Sequence, residues 1–372
     1  MKIINGTVLC GAENSFKQVN IEIENDKILS FTNDIASDEV FNAEGLFVIP
    51  GFIDTHIHGC VGDEFASRDE SFERSRKWLA SEGITAFAPT IRSLPPEDII
   101  SAEQNIVRQS KIDCLGAKIC GINIEGPFVS KSGVMVPPDI TCEPSWITQF
   151  VSAGEGMLKI MTLAPERENS TETIIEAVKQ GVNISIGHTD ATYATTMESI
   201  NAGATRATHA FNAMRPFSHR ETGVLGAVLT DERINCEMIC DLVHLDEATI
   251  KVLYLTKGYK NLTLISDTGV MSGLGDGEFI VNGKKRTVKD GICRNTEGRI
   301  AGSCFSMLAG ARNLLKMGIP LEEISVMASL NPAKALAVDN ETGSIEIGKY
   351  ADLIVCDKEL NIKAVFVNGK RI

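Results

Sequence analysis

The segment Pro50-Gly51-Phe52-Ile53-Asp54-Thr55-His56-Ile57-His58-Gly59 places two histidines two positions apart. Alternate residues of a β-strand share a face, so both imidazoles can point into one cavity. Neutral imidazoles side by side suit a borderline divalent ion such as Zn, Fe, Co or Ni. A His-x-His pair on an exposed strand also arises by chance, so the pair decides little alone. His188, His209, Glu125 and Asp267 also follow short apolar runs. A divalent metal held by such a set would favour hydrolysis, because it lowers the pKa of water toward ~7 and polarises an acyl oxygen. Asp267 beside the ion is suited to take the water proton and deliver it to a departing amine. The other reading of Asp267 is a ligand with no proton role.

Residues so far apart in sequence need a scaffold that gathers them. Eight short runs rich in β-branched residues read as strands: 49–55, 84–90, 118–124, 158–163, 182–187, 204–208, 234–240 and 262–266. Helical stretches alternate with them, including 69–82, 170–180, 191–202 and 245–257, the first preceded by a capping-like Asp69-x-x-Phe72. The alternation predicts an α/β fold, a (β/α)8 TIM-like barrel. An open doubly wound sheet is the alternative, but no Gly-x-Gly-x-x-Gly follows an early strand. In the barrel, His56 and His58 end strand one, Glu125 strand three, His188 strand five, His209 strand six and Asp267 strand eight. All six then converge on the C-terminal rim, where barrel active sites form. Singly, each has a plainer reading: Glu125 as a helix cap, Asp267 as a turn brace, His188 as partner to a carbonyl.

Short alternating strands near 2–10, 17–24 and 26–32 open the chain, and others near 344–346, 351–357 and 364–368 close it. Neither end can bury a sheet face alone, so both are expected in one small β-sandwich domain, residues 1–49 with 344–372. The barrel is expected over 50–343, with a β-hairpin inserted near 273–298, where Gly275-Asp276-Gly277 and Asn282-Gly283 punctuate the chain.

Composition limits the remaining possibilities. The 372 residues, 43% hydrophobic and 23% charged, read as globular. A net charge of −13 argues against general binding of nucleic acid or anionic membranes, which needs a basic footprint. No signal-peptide pattern is read at the start, and no apolar run approaches the ~20 residues of a spanning helix. The ten cysteines are scattered without Cys-x-x-Cys, as expected of buried small hydrophobes in a reducing cytoplasm.

Several blocks together resemble the amidohydrolase superfamily, and within it the N-acetylglucosamine-6-phosphate deacetylases. They are residues 50–59 above, Glu125-Gly126-Pro127-Phe128, Gly187-His188-Thr189, Thr208-His209-Ala210-Phe211-Asn212-Ala213-Met214 with Arg220-Glu221-Thr222-Gly223, Ser266-Asp267, Ala301-Gly302-Ser303 and Asn331-Pro332-Ala333. The resemblance implies Glu125, His188 and His209 as ligands of one metal, and His56, His58 and a bridging Glu125 as ligands of a second. It therefore implies one or two divalent ions per subunit, drawn from Zn, Fe, Co, Ni or Mn. It implies both metal contact and acid/base catalysis for Asp267. For a phosphorylated N-acetyl amino sugar, it implies phosphate contacts from Asn212 and Ala213. Arg220 and His244 would approach the ligand, with Arg220 crossing from the neighbouring subunit of a homodimer. Ala301, Gly302 and Ser303 resemble the substrate-enclosing segment; the plainer reading is a helix N-cap leading into 307–315. Without the resemblance, Arg220 reads as a rim salt bridge. Asp54 is left to orient a ligand or brace the strand end.

The chain departs from the family at one point. Where many relatives carry a Gly-Ala-His-like segment that helps bind substrate, it has Gly133-Val134-Met135. Val134 and Met135 are expected at the substrate, and Met135 cannot donate the imidazole N–H. An epimeric substrate such as N-acetylgalactosamine 6-phosphate is one alternative this leaves open. A metal-stabilised interaction or sensing domain without turnover is another.

Overall fold

The computed structural model describes residues 1–11, 13–33, 39–130, 138–281, 283–298 and 300–372. Eight parallel strands form the centre: Phe52–Ile57, Ile84–Ile91, Ile122–Glu125, Leu158–Leu163, Asn183–Ile186, Arg206–Ala207, Asn235–Ile239 and Leu262–Ile265. Each pairs with the next in chain order. Two backbone bonds at the C-terminal ends of the strands join the last to the first: Asp267 N–H donates to the His56 carbonyl (2.9 Å) and His58 N–H to the Thr268 carbonyl (2.8 Å). The expected (β/α)8 barrel is therefore present, and its strands are buried on both faces, as a parallel sheet ringed by helices requires.

Helices follow the strands at Glu73–Ser81, Pro96–Ser110, Pro144–Ala153, Ser170–Lys179, Tyr193–Ala202, Gly223–Thr230, Glu247–Lys257 and Met307–Lys316. Local chemistry sets several of their ends. The Asp246 side chain accepts the Thr249 N–H at 2.7 Å, and that of Thr192 accepts the Thr195 N–H at 3.2 Å. The first helix starts later than its capping-like signal. Phe72, not Asp69, holds the N-cap position and makes no side-chain cap bond. Phe72 is instead buried against Phe65 (centroids 4.9 Å apart), which in turn packs on Phe87 (5.3 Å). Aromatic burial thus sets the entry of this helix, outweighing a polar cap worth about 1 kcal/mol.

The chain ends build two sheets. One has four strands, in the order Lys27–Thr32, Asn20–Glu24, Lys2–Ile4 and Val40–Asn42. The other has six, in the order Lys370–Arg371, Ile362–Val367, Leu353–Cys356, Phe47–Pro50, Thr7–Cys10 and Ser15–Gln18. Ile3, Val8, Ile21, Ile28, Val48, Leu353 and Phe366 share one buried cluster between them. This is the expected sandwich of both termini, with Ile354 opposite Ile49. Pro50 ends the sheet strand and Phe52 starts the barrel strand. Gly51 separates them because a Cβ there would lie 2.1 Å from Thr85 Oγ1. The strand expected at 344–346 is reduced to a single bridge, Cys10 to Ile345. Ser344 and Glu346 are tied through side chains to Lys349, a local network that competes with a ladder.

The hairpin expected near 273–298 is the first half of a larger element. Four antiparallel strands follow one another there: Gly277–Val281, Lys284–Lys289, Ile292–Asn295 and Ile300–Ser303. The second turn is Asp290-Gly291, both at positive φ (53° and 73°), as a two-residue hairpin loop requires. The plainer reading of Ala301, Gly302 and Ser303 as a helix cap is thereby corrected. They lie in the last of these strands, and the following helix has Ser306 at its N-cap. Among the described residues no helix is long and apolar enough to cross a membrane.

Candidate metal centre

His56 lies within barrel strand one and is fully buried, while His58 follows it at the rim. Glu125 is the last residue of strand three; His188, His209 and Asp267 each sit two residues past a strand. The last three adopt positive φ (49°, 28° and 48°), a conformation that ordinary residues avoid. Such strain is tolerated where side chains must be aimed at a site.

Glu125 is the hub. Its Oε1 is 2.9 Å from Nε2 of both His188 and His209 and 3.4 Å from His56 Nε2. Its Oε2 is 3.2 Å from His58 Nε2. Asp267 Oδ1 closes the group at 3.4 Å from His58 Nε2 and 3.6 Å from His56 Nε2. Two sets of potential ligand atoms result, His56/His58/Glu125 and Glu125/His188/His209, which share one carboxylate.

This donor set fits divalent ions. The buried His56 Nε2 faces the cluster without a hydrogen-bond partner, and His188 Nε2 and His209 Nε2 are only 3.1 Å apart. Two imidazole nitrogens converging at that distance on one carboxylate oxygen are poorly satisfied by protons alone. A cation resolves the crowding, because each nitrogen then presents a lone pair. The arrangement provides one or two divalent-metal sites per subunit.

The charges reinforce one another. Burial favours a neutral Glu125, but the imidazoles of His188, His209 and His56 hold its carboxyl well below the usual range. Burial likewise opposes ionisation of Asp267, and His56 and His58 overcome it, so this carboxyl also stays low. Burial disfavours charge on His58, but the bonds to Asp267 and Glu125 raise its imidazole to about 9. The centre is thus a pair of carboxylates, Glu125 buried and Asp267 half-buried, surrounded by imidazoles.

A second layer of polar groups supports these residues. His56 Nδ1 is 3.0 Å from Glu237 Oε2, and Glu237 Oε1 is 3.1 Å from Arg206 Nη2. Asp54 Oδ1 accepts the His56 N–H at 3.2 Å and the Ser266 N–H at 3.4 Å. Asp241 binds His244 twice, through Nδ1 (2.7 Å) and the backbone N–H (2.9 Å), and accepts the Ser303 hydroxyl at 3.3 Å. Residue type and spacing alone do not single out Glu237, Arg206 and Asp241. The available signal was a charged residue inside, or just after, an otherwise apolar strand run.

The residues expected at substrate are distributed as follows. Val134 and Met135 lie outside the described residues. Asn212 and Ala213 are half-buried beside His209. The Asn212 backbone N–H donates to the His209 carbonyl at 2.9 Å. Ser303 is buried, and its N–H donates to the Asp267 carbonyl at 3.4 Å, which ties the inserted sheet to the rim. Arg220 is exposed and makes no ion pair among the described residues. Arg215 in the same segment does pair, with Asp190 (3.3 Å) and Glu221 (3.1 Å).

Residues 47–372 match the model of the amidohydrolase family. The chain belongs to the amidohydrolase family. As an amidohydrolase with this cluster of ligands it is a metal-dependent hydrolytic enzyme, which leaves no place for the interaction-only reading. It is similar to the N-acetylglucosamine-6-phosphate deacetylase of Lysinibacillus sphaericus, with 31% identity covering 99% of this chain and 97% of the relative. It is also similar, at 31% identity over 86% of each chain, to the N-acetylgalactosamine-6-phosphate deacetylase of Escherichia coli O157:H7. Among solved structures, the N-acetyl-D-glucosamine-6-phosphate deacetylase of Mycobacterium smegmatis superposes with a TM-score of 0.91. That match has 32% identity and covers all of both chains.

Proposed function

We propose that this amidohydrolase removes the acetyl group from N-acetylglucosamine 6-phosphate, giving glucosamine 6-phosphate and acetate. The observation that carries the reading is Glu125, whose two oxygens face four imidazole nitrogens at 2.9–3.4 Å while Asp267 borders the same group. The similarity to the Lysinibacillus and Mycobacterium deacetylases supports the substrate class.

In this reading His56, His58 and Glu125 hold one ion, Glu125, His188 and His209 hold another, and Asp267 borders both. When bound, a divalent ion acidifies a water and polarises the acyl oxygen. Asp267, ionised among the imidazoles, accepts the water proton at a carboxylate oxygen and later gives it to the amide nitrogen. The acyl carbon gains a C–O bond as its C–N bond breaks, so acetate and a free amine leave. Without that proton the nitrogen would depart as an amide anion, a very poor leaving group.

The substrate phosphate is assigned to Arg220, Asn212 and Ala213. A guanidinium offers two parallel donors to phosphate oxygens, and the exposed Arg220 has no competing ion pair among the described residues. At Asn212 the backbone N–H and the side-chain amide both donate to the His209 carbonyl (2.9 and 3.3 Å), so the second amide hydrogen is the donor assigned to the phosphate. His244, oriented by Asp241, faces the sugar with Ala301, Gly302 and Ser303. We further propose a cytoplasmic homodimer in which Arg220 reaches the neighbouring subunit's site; the exposed Phe217 beside it and ten unpaired cysteines support this.

Acetate release by metal-loaded protein tests the proposal, and absence of turnover would sink it. The Escherichia coli relative favours a second reading, the galacto epimer. Comparing kcat/KM for the two epimers decides between them, since selectivity is set by differential transition-state binding.

A further inference from the structure

Glu237 lies in barrel strand seven, fully buried, with no position in the ligand sets described above. Its two oxygens have different partners. Oε1 is 3.1 Å from Nη2 of Arg206, a residue of strand six that is itself buried. Oε2 is 3.0 Å from His56 Nδ1 and accepts the His209 backbone N–H at 3.3 Å. A buried carboxylate is costly unless paired and hydrogen-bonded, and here it is both.

The geometry constrains His56. An ionised carboxylate only accepts, so the ring hydrogen belongs on Nδ1. In the neutral ring Nε2 is then the lone-pair nitrogen, and it is Nε2 that faces Glu125 and Asp267 without a hydrogen-bond partner. Glu237 also holds the backbone of His209, a residue of the other ligand set. One side chain therefore touches a member of each set.

We propose that Glu237, itself held by Arg206, is a positioning residue that fixes the tautomer and orientation of His56 and so sets the affinity of the His56/His58/Glu125 site for its ion. The inference rests on the metal-binding reading of the cluster and deepens it. Glutamine in place of Glu237 replaces one oxygen with an NH2 group. Either Arg206 then faces a donor, or His56 Nδ1 does, and in the second case the ring turns its hydrogen toward the ion.

Metal-free protein titrated with zinc against a chromophoric chelator tests this independently of substrate. Wild type is expected to bind two ions per subunit. E237Q and E237D should retain the ion of the Glu125/His188/His209 set while affinity at the other falls roughly 10- to 100-fold. Two ions bound by E237Q with wild-type affinities overturn the inference, whereas no ion bound by wild type overturns the metal reading beneath it. A merely structural role would lower the unfolding temperature of metal-free and zinc-loaded protein alike without changing either affinity. A spectroscopic measurement on wild type covers the case in which neither variant folds. In zinc-loaded protein the His56 Nδ1–H is expected as a downfield, slowly exchanging imidazole resonance. Its absence would also overturn the inference.

Discussion

The Asp267 backbone N–H donates to the carbonyl of His56 over 2.9 Å, so the last barrel strand meets the first through two residues of the centre itself. The bond keeps the Asp267 backbone in place at φ 48°, while its carboxylate lies 3.4 Å from His58 Nε2. Backbone position and side-chain role are therefore separable, and the first prediction uses that separation.

D267N leaves the backbone bond intact and removes the carboxylate that takes and returns the proton. Activity should fall by ~10²- to 10⁴-fold, the usual contribution of a positioned acid/base group. The circular dichroism spectrum should stay unchanged. Wild-type turnover measured as acetate release would refute the shuttle.

Metal removal should act on stability as well as activity. A ligand that binds only the folded state stabilises it by about 2.7 kcal/mol at one hundred times its Kd. Protein treated with a chelator should lose turnover and melt at a lower temperature. Adding back zinc, cobalt or manganese should restore both. Full activity after verified removal of the metal would contradict the assignment.

Loss of Arg220 is expected to weaken phosphate recognition without touching the acyl centre. R220A should lower kcat/KM by roughly 10- to 100-fold, mostly through KM, consistent with one charged hydrogen-bonding group. The non-phosphorylated N-acetyl sugar should be nearly unaffected. Mixing R220A and D267N chains tests the subunit crossing. If Arg220 acts across the interface, each mixed dimer regains one complete site, whereas a contact within one subunit restores none.

Glu103 supplies a prediction about pH. It is completely buried on the helix Pro96–Ser110, neither carboxyl oxygen has a partner among the described residues, and burial pushes its pKa to about 9. The folded state therefore keeps a proton that the unfolded chain releases near 4.5. The resulting stability is fully present below that pH and is lost as pH rises toward 9. E103Q should melt like wild type near pH 4.5 and become progressively more stable than wild type toward pH 8, by up to about 5 kcal/mol. Thermal unfolding at both pH values checks this; a constant difference would show that Glu103 does not titrate as described.

Strand periodicity made the barrel legible, because eight apolar runs alternating with amphipathic stretches admit few other arrangements. His56, His58, Glu125, His188, His209 and Asp267 were legible for the same reason, each lying at or just beyond the end of a run. The resemblance added roles for Arg220 and His244 that residue type alone does not carry. Asp69 misled because a local capping preference is weaker than the burial of Phe72 against Phe65. The inserted sheet is half legible: Asn282-Gly283 reads as a turn between two short runs, while the turn at Asp290-Gly291 emerges only in the structure. Glu237, Arg206 and Asp241 were missed because their partners come from other strands. Sequence distance hides the 3.0 Å between His56 Nδ1 and Glu237 Oε2.

The register of Ile354 opposite Ile49 also bears on biosynthesis. Phe47–Pro50 is made early, but one of its edges has no neighbour until Leu353–Cys356 leaves the ribosome about 300 residues later. At synthesis rates of about 5–20 residues per second, that edge waits on the order of 15–60 s. Throughout translation of the barrel the nascent chain therefore carries Phe47–Pro50 without its Leu353–Cys356 neighbour, an unpaired apolar strand edge.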